Sequence, residues 1–466
     1  LKIVMKFGGS SLADGNRILR CCNIVKRYKQ DHDIIVVVSA MDDVTDKLIE
    51  LAELAKNGNG EELTKRIEAL KTQHLDATAA LASSELREAA QRELGKLLAE
   101  LEKVLTASAL LKEVTPRTRD RILSYGERLS SILFEHALKD VGVECVRLQG
   151  GEAGVITDEA FGEATPLFEI SKSRIRSKLN PLLEQKIVPV VTGFIGVTQN
   201  GEITTLGRGG SDLTATLIAA AVKADEVWLW SDVDGIMTAD PKLIPEAKTI
   251  PQISYAEALE MTALGAKAIH PRAIEPLAEE GIPVRVKNTF ADEKPGTLIT
   301  STTQLKAGEV VKALAFVRDV GLITVSGAGM VGKLGTAAKI FDVLAKSGVN
   351  ILMISQSISE SNISVVVKRN VLHKAVTALE VALLGKGVVS EVQYEDDIAV
   401  IAAIGAGMRG TPGVAAKIFG AVAKHGINIR MIAQGSSELS ISFVVKEEEA
   451  LQALKAIHSE LKLDVD

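Results

Sequence analysis

Aromatic side chains are scarce in this sequence, 3% of 466 residues, and cysteine is scarcer, with only Cys21, Cys22 and Cys145. These thiols have no CxxC or metal-ligand spacing, which argues against a disulfide framework and a structural zinc. No run is apolar enough to span a bilayer, and the opening Leu1-Lys2-Ile3 reads as a strand, not a signal peptide. Neither sign of charge dominates. A net charge of −6 and a pI near 5.8 leave no basic surface for nucleic acid or an acidic membrane. The absences therefore point to a cytoplasmic protein without nucleic-acid or membrane partners. What is present, 46% hydrophobic residues rich in Gly, Ala, Val and Ile, fits an α/β protein of two to four domains.

Strand and helix patterns alternate from Leu1 to about Asn288, which predicts a largely parallel sheet covered by helices. The first strand ends in Lys6-Phe7-Gly8-Gly9-Ser10-Ser11, ahead of a helix from Asp14. Paired glycines let backbone N–H groups approach an anion and a lysine can share the charge, so the stretch is a phosphate cradle or a plain turn. It is not a P-loop, where the lysine follows the glycines. The buried-type strand Ile34–Val38 leads through Ser39 and Thr45 into a helix from Lys47. Strand ends of this kind bind ligands in open α/β sheets, and Thr45 is equally readable as a helix cap. Residues 61–111 read as a helical excursion without chemistry. In the next helix, Arg121, Glu127 and Arg128 suit either a charged substrate or a solvated face, and the local pattern favours the latter.

A second glycine-rich loop is more informative. In Gly207-Arg208-Gly209-Gly210-Ser211-Asp212 three glycines flank an arginine just before a helix start, so backbone donors, a helix N-terminus and a guanidinium converge. Ser231-Asp232-Val233-Asp234-Gly235 follows another buried strand. It lacks EF-hand spacing and reads as a nucleotide-contacting loop that continues to Met237 and Lys242. Lys267, next to Ala268, is placed to reach a phosphate, whereas His270 lacks an acid or thiol partner and reads as structural. Val284–Lys287 reads as the last strand of this domain, which ends near Pro295.

The last third contains an internal repeat. Gly327–Val367 returns as Gly405–Val445, an offset of 78 residues with 25 of 41 positions identical. Each copy reads strand, glycine turn, helix, glycine stop, strand, turn, strand, a small α+β module. Without acid, base or metal constellations, two such modules suit a small polar ligand between them, or dimerisation.

These motifs, in this order, resemble the aspartokinase family over essentially the whole chain. The resemblance implies an α/β amino-acid kinase fold over 1–295, a linker over 296–310, and two ferredoxin-like ACT modules. Their extents would be 322–390, and 311–321 with 391–466. It implies transfer of the γ-phosphoryl group of ATP to the β-carboxylate of L-aspartate, giving 4-phospho-L-aspartate for lysine, threonine, methionine and isoleucine synthesis. Lys6 would bridge the phosphates, with donors from Gly8, Gly9 and Ser10, and Asp212 would hold that lysine. Arg208 would meet a substrate carboxylate and Glu127 the α-ammonium, with Ser39, Thr45 and Ser211 around them. Ser231, Asp232, Met237, Lys242, Lys267 and Ala268 would line the nucleotide side. Mg²⁺ would arrive with ATP, with no dedicated metal cage in the protein. Ser10 and Ser231 stand where the family commonly has threonine, Met237 where it often has tyrosine, and Lys242 where it often has arginine.

Asn350, Gln356, Asn428 and Gln434 would bind an effector amino acid, the pattern resembling threonine-sensitive members, with lysine as the rival. The chain stops just after the second module, so the expectation is a monofunctional enzyme, a homodimer or dimer of dimers paired through ACT modules. Other amino-acid kinases generally lack that pair of modules. A non-catalytic amino-acid sensor on the same scaffold is the competing reading, but it would be expected to have lost Lys6, Arg208 or Asp212, and all three are present.

Overall fold

The computed structural model describes residues 1–265, 269–302 and 310–464. It divides into two compact units. The first comprises Leu1–Ile236, Pro251–Tyr255 and a stretch ending at Thr302, and the second comprises Met237–Ile250, a stretch opening at Ala256, and the C-terminal third.

The first unit is built on an eight-stranded sheet. Its order is Cys145–Leu148, Val188–Thr192, Asp33–Val38, Lys2–Phe7, Glu226–Ser231, Val284–Asn288, Thr297–Thr300 and Gln252–Ser254. Every pairing is parallel except that of Val284–Val286 with Thr297–Ile299. Ile34 to Val38 and Ile3 to Met5 are fully buried, as a sheet covered on both faces requires. The sheet therefore extends past the expected last strand. Thr297–Thr300 is a strand and not linker, because its backbone completes the edge left open by Val284–Asn288, and residues 303–309 of that linker lie outside the described residues.

Local signals set the helices around this sheet. Asp14 caps Gly15–Lys29 by accepting from the Arg17 N–H, and the 61–111 stretch forms Gly60–Ala77 and Ser84–Leu111, the latter capped by Ser83. Thr115 caps Pro116–Asp140, whose first residue is a proline suited to that position. This long helix is buried almost throughout from Ile122 to Leu138. A three-stranded sheet of Ile156–Thr157, Ile195–Thr198 and Ile203–Thr205 leads into the second glycine loop.

The second unit carries a six-stranded antiparallel sheet in the order Ile351–Gln356, Asn362–Lys368, Ala313–Ser326, Glu391–Ile404, Ser440–Lys446, Met431–Gln434. The two central strands are each 14 residues long and run through both repeats. Ala313–Val317 pairs with Val400–Ile404, and after an irregularity at Val317–Val320 the same strand pairs Leu322–Ser326 with Glu391–Glu395. Residues 391–395 thus pair with the first repeat, not the second as expected, because one uninterrupted strand serves both. A further helix follows each repeat, Leu372–Leu383 and Glu447–Glu460, and packs on its module's core. Met237–Ile250 also belongs to this unit and not to the first: Ala239 and Ile244 join the core of the second module, and Leu314 donates its N–H to the Thr238 carbonyl at 2.7 Å. Among the described residues no helix is long and apolar enough to cross a membrane.

Candidate active site

Lys6 sits in the middle of the sheet between Val37 and Leu229. Its neighbour Phe7 points to the opposite face. There Phe7 stacks on Trp230 at 6.0 Å and meets Phe134 at 5.5 Å, contacts that fix the strand end from below. The Lys6 ammonium is 2.7 Å from an Asp212 oxygen, with about a sixth of each side chain exposed. Asp212 is in the first turn of Gly210–Val222, so the two glycine motifs, some 200 residues apart in sequence, are tied by one ion pair.

A cavity of about 330 Å³ opens beside this pair and is lined by Lys6, Gly9, Ser39, Thr45, Glu127, Arg208, Ser211 and Asp212, among others. Eight of the expected site residues therefore converge. Thr45 is not a cap. The helix begins at Val44, after Asp43 in the left-handed region (φ 61), and Thr45 in its first turn lines the cavity. Arg208 is exposed there and has no ion-pair partner among the described residues. Gly209 adopts φ 73, and a Cβ on it would stand 2.2 Å from the His270 ring, so the loop can pass His270 only as glycine. Burial lowers the pKa of His270, which favours a neutral ring packed against the arginine loop.

Glu127 reverses its local reading. Arg121 and Arg128 do turn toward Glu100, at 3.3 and 3.7 Å, Arg121 from an exposed face and Arg128 from a largely buried one. Glu127 points elsewhere and is buried. One carboxylate oxygen accepts the Ala40 N–H at 3.2 Å, and the other is buried without a partner. Burial pushes its pKa up to about 8, only partly offset by the Ala40 hydrogen bond and the positive charge of Lys6. Gly126 permits this, since a Cβ there would approach Ala40 Cβ to 2.9 Å. The cavity thus has an arginine without an acid, a lysine, and a carboxylate with a vacant oxygen: the complement of a small molecule carrying both a carboxylate and an ammonium.

The other expected site residues fall differently. Gly8 is not a phosphate donor, because it donates its N–H to the Trp230 carbonyl at 3.1 Å and so continues the sheet's ladder. Ser10, Ser231 and Asp232 belong to the first unit but do not line the cavity, and the Ser231 hydroxyl donates to Asp232 at 3.0 Å. Met237 and Lys242 are in the second unit, where the Met237 sulfur accepts from the Thr249 hydroxyl at 3.3 Å. Lys267 and Ala268 lie outside the described residues. Asp234 is structural: its salt bridge to Lys294 and the hydrogen bond from Asn288 lower its pKa. Sequence reasoning missed Met41, Asp42, Asp43, Asp46 and Phe194, which also line the cavity. Phe194 (φ 65) carried a signal in the strand-Gly-Phe stop that precedes it.

One metal-type grouping occurs among the described residues, Glu93, Glu135 and His136. Arg147 bonds both carboxylates, at 2.6 and 3.2 Å, and Lys139 bonds Glu135 at 2.8 Å, so the cluster is neutralised by the protein itself. In the second unit, Gln356 lines a groove of about 340 Å³ opposite Arg430, whereas Asn350, Asn428 and Gln434 do not line it.

Residues 2–288 match the amino acid kinase family, and residues 323–383 and 401–461 match the ACT domain. An aspartokinase of Bacillus sp. (strain MGA3) is 33% identical, with 99% of this chain and 97% of that protein covered. The chain belongs to the aspartokinase family. A bifunctional aspartokinase/homoserine dehydrogenase of Zea mays is 34% identical over 98% of this aspartokinase-family chain and 50% of that protein. The chain thus spans about half the length of the first curated relatives it matches. E. coli aspartokinase III has been solved with lysine and aspartate (T-state) and with aspartate and ADP (R-state). The TM-scores are 0.82 and 0.81, the identities 31% and 30%, with 98% and 99% of this chain and 99% and 100% of those chains covered.

Proposed function

We propose that the chain transfers the γ-phosphoryl group of ATP to the β-carboxylate of L-aspartate. The observation that carries this is Glu127, with a buried carboxylate oxygen left without a partner, lining the same cavity as the unpaired Arg208 and the Asp212-held Lys6. A carboxylate acceptor is ionised at neutral pH, so no general base is needed, and the cavity has the matching composition. The obstacle is repulsion between two anions. Arg208 and Glu127 orient the acceptor, Ser39, Thr45 and Ser211 offer hydroxyls, and Lys6 neutralises charge on the transferring group. Gly9 and Ser10 supply backbone donors, and Ser231 and Asp232 belong on the nucleotide side. The roles of Met237, Lys242, Lys267 and Ala268 at the nucleotide rest on the family resemblance alone. Mg²⁺ would enter with ATP, held by phosphate oxygens and water, since Asp212 is engaged by Lys6 and the Glu93 cluster by Arg147. The test is ADP release that depends on L-aspartate. N-acetyl-L-aspartate, which lacks the ammonium, is expected to give none, and equal turnover with both would reject the Glu127 role.

Acceptor binding carries a pH signature. With its pKa near 8 in the empty cavity, Glu127 holds a proton at neutral pH, and pairing with an ammonium requires that proton to leave. Aspartate affinity is therefore expected to weaken by roughly tenfold for each pH unit below about 8 and to level off above it. Calorimetry in buffers of different ionisation enthalpy should show one proton released per aspartate bound at pH 7, and binding without proton release would contradict the assignment.

The tandem modules bind a regulatory amino acid in this reading, and threonine is the favoured effector over lysine. The repeated Asn-Ile-x-x-Ile-x-Gln pattern, with Asn350, Gln356, Asn428 and Gln434, supports that choice, and the lysine complex of E. coli aspartokinase III supports the rival. At about 100 times its Kd, threonine should stabilise the chain by about 2.7 kcal/mol, read as a rise in Tm. A rise with lysine alone would reverse the choice. Pairing of chains through the ACT modules belongs to the same proposal, supported by the fully exposed Leu334 and Ile358 of the first module. So does a cytoplasmic setting, supported by three buried free thiols.

A further inference from the structure

Arg208 would hold a carboxylate of the acceptor and Glu127 its ammonium, yet they lie on elements far apart in sequence. One buried side chain connects those elements. Asp120 precedes Glu127 by seven residues on Pro116–Asp140, two helical turns, so both leave the same side of the helix roughly 10 Å apart along its axis. Asp120 is fully buried and does not line the cavity. Its Oδ2 accepts the backbone N–H groups of Gly162 at 3.0 Å and Thr205 at 2.9 Å, and its Oδ1 accepts the Thr205 hydroxyl at 2.7 Å.

Thr205 ends a strand three residues before Arg208. Its carbonyl accepts the Ala164 N–H at 2.9 Å, so the loop held through Gly162 is fastened to the same strand. From another direction, Arg272 donates to the Leu206 carbonyl at 2.6 Å and to the Ala164 carbonyl at 3.3 Å. Gly207 then turns at φ 73, where a Cβ would stand 3.0 Å from Glu163 Cγ. The backbone leading into Arg208 is therefore clamped on consecutive residues by Asp120 and Arg272.

We propose that Asp120 is a positioning residue that fixes the distance between Glu127 and Arg208, and with it the alignment of the acceptor in the cavity. The proposal rests on the aspartate-kinase reading above. The helix carrying Glu127 acts as a rigid spacer, Asp120 fastens the arginine strand to it, and Arg272 prevents that strand from rotating away. Reactive groups displaced by about 1 Å lose on the order of 100-fold in rate, so a clamp behind the binding residues controls acceptor choice without touching it.

The experiment compares Asp120→Asn, Asp120→Ala and Arg272→Lys in the full chain, with KM for L-aspartate, KM for ATP and activity with L-glutamate. An asparagine can reproduce all three contacts, its carbonyl accepting both N–H groups and its amide donating to the Thr205 hydroxyl. Asp120→Asn should therefore keep KM for aspartate within about threefold, whereas Asp120→Ala should raise it about 30-fold with KM for ATP nearly constant. The preference for aspartate over glutamate should narrow by about tenfold in the alanine variant. Because Asp120→Ala strands buried donors and lowers stability, a second variant is read beside it: Arg272→Lys keeps the cation, loses the two-carbonyl clamp, and should show the same selective rise, about tenfold. A merely structural role predicts instead a lower Tm with both KM values moved alike, and that result overturns the proposal, as does an asparagine variant as impaired as the alanine one. Absence of aspartate-dependent turnover in the wild-type chain overturns the kinase reading and this proposal together, whereas turnover with uniform changes overturns this proposal alone.

Discussion

Replacing Lys6 with alanine is expected to lower kcat by about 1,000-fold or more, roughly 4 kcal/mol of transition-state stabilisation, while the protein stays folded. Lys6 is the cation held at the cavity by Asp212, in the middle of the sheet and close to where negative charge must be neutralised as two anions meet. Its contribution is made mainly in the transition state, so kcat should fall more than KM for ATP rises. The fold should survive because the strand is anchored on its other face by Phe7 against Trp230 and Phe134. Lys6→Arg is not expected to rescue, because the larger planar guanidinium does not reproduce a compact ammonium. Asp212→Asn should give a smaller loss, about 10- to 100-fold, since the lysine keeps its charge and loses only its orientation. A Lys6→Ala enzyme with a wild-type kcat would remove Lys6 from the chemistry.

Glu127→Gln is expected to raise KM for L-aspartate by at least about 100-fold and, at the same time, to raise Tm. The amide keeps the hydrogen bond from the Ala40 N–H and loses the charge that would meet the ammonium. The stability effect follows from linkage. The folded pKa near 8 lies above the ordinary carboxylate value of 4.5, so between these the unfolded chain releases a proton that the folded chain retains. Stability contributed by the protonated group is complete below about pH 4.5 and declines as pH rises through about 8. Glutamine removes that penalty, and a gain of about 1–3 kcal/mol at pH 7 to 8 would appear as several degrees in Tm. A variant that is less stable and binds aspartate normally would show that Glu127 is an ordinary buried anchor.

The two sites differ in how visible they are in the sequence, and the reason is physical. Arg208 stands between glycines at a helix start, a composition that serves little purpose except to bring backbone donors and a cation to one point, so its role is readable locally. Glu127 sits between Gly126 and Arg128 in a helix whose Arg117 and Arg121 do face solvent. Its burial arises because Gly126 lets Ala40 approach from a strand end almost 90 residues earlier, and a local pattern does not contain that contact. Asp120 is hidden for the same reason, since its partners Gly162 and Thr205 come from later segments. The repeat was plain from identity alone, yet the two 14-residue strands shared between its copies were not, because strand pairing across copies is a tertiary fact. Met237–Ile250 followed the second unit for the same kind of reason: Ala239 and Ile244 are ordinary apolar residues until the module core that covers them is assembled.

The most direct test of the central claim traps the product. The chain is incubated with ATP, magnesium, L-aspartate and hydroxylamine, which converts an acyl phosphate to a hydroxamate. The account predicts aspartyl β-hydroxamate formed in step with ADP, dependent on ATP and absent with Lys6→Ala. ADP released without hydroxamate, or no aspartate-dependent ADP at all, would contradict it.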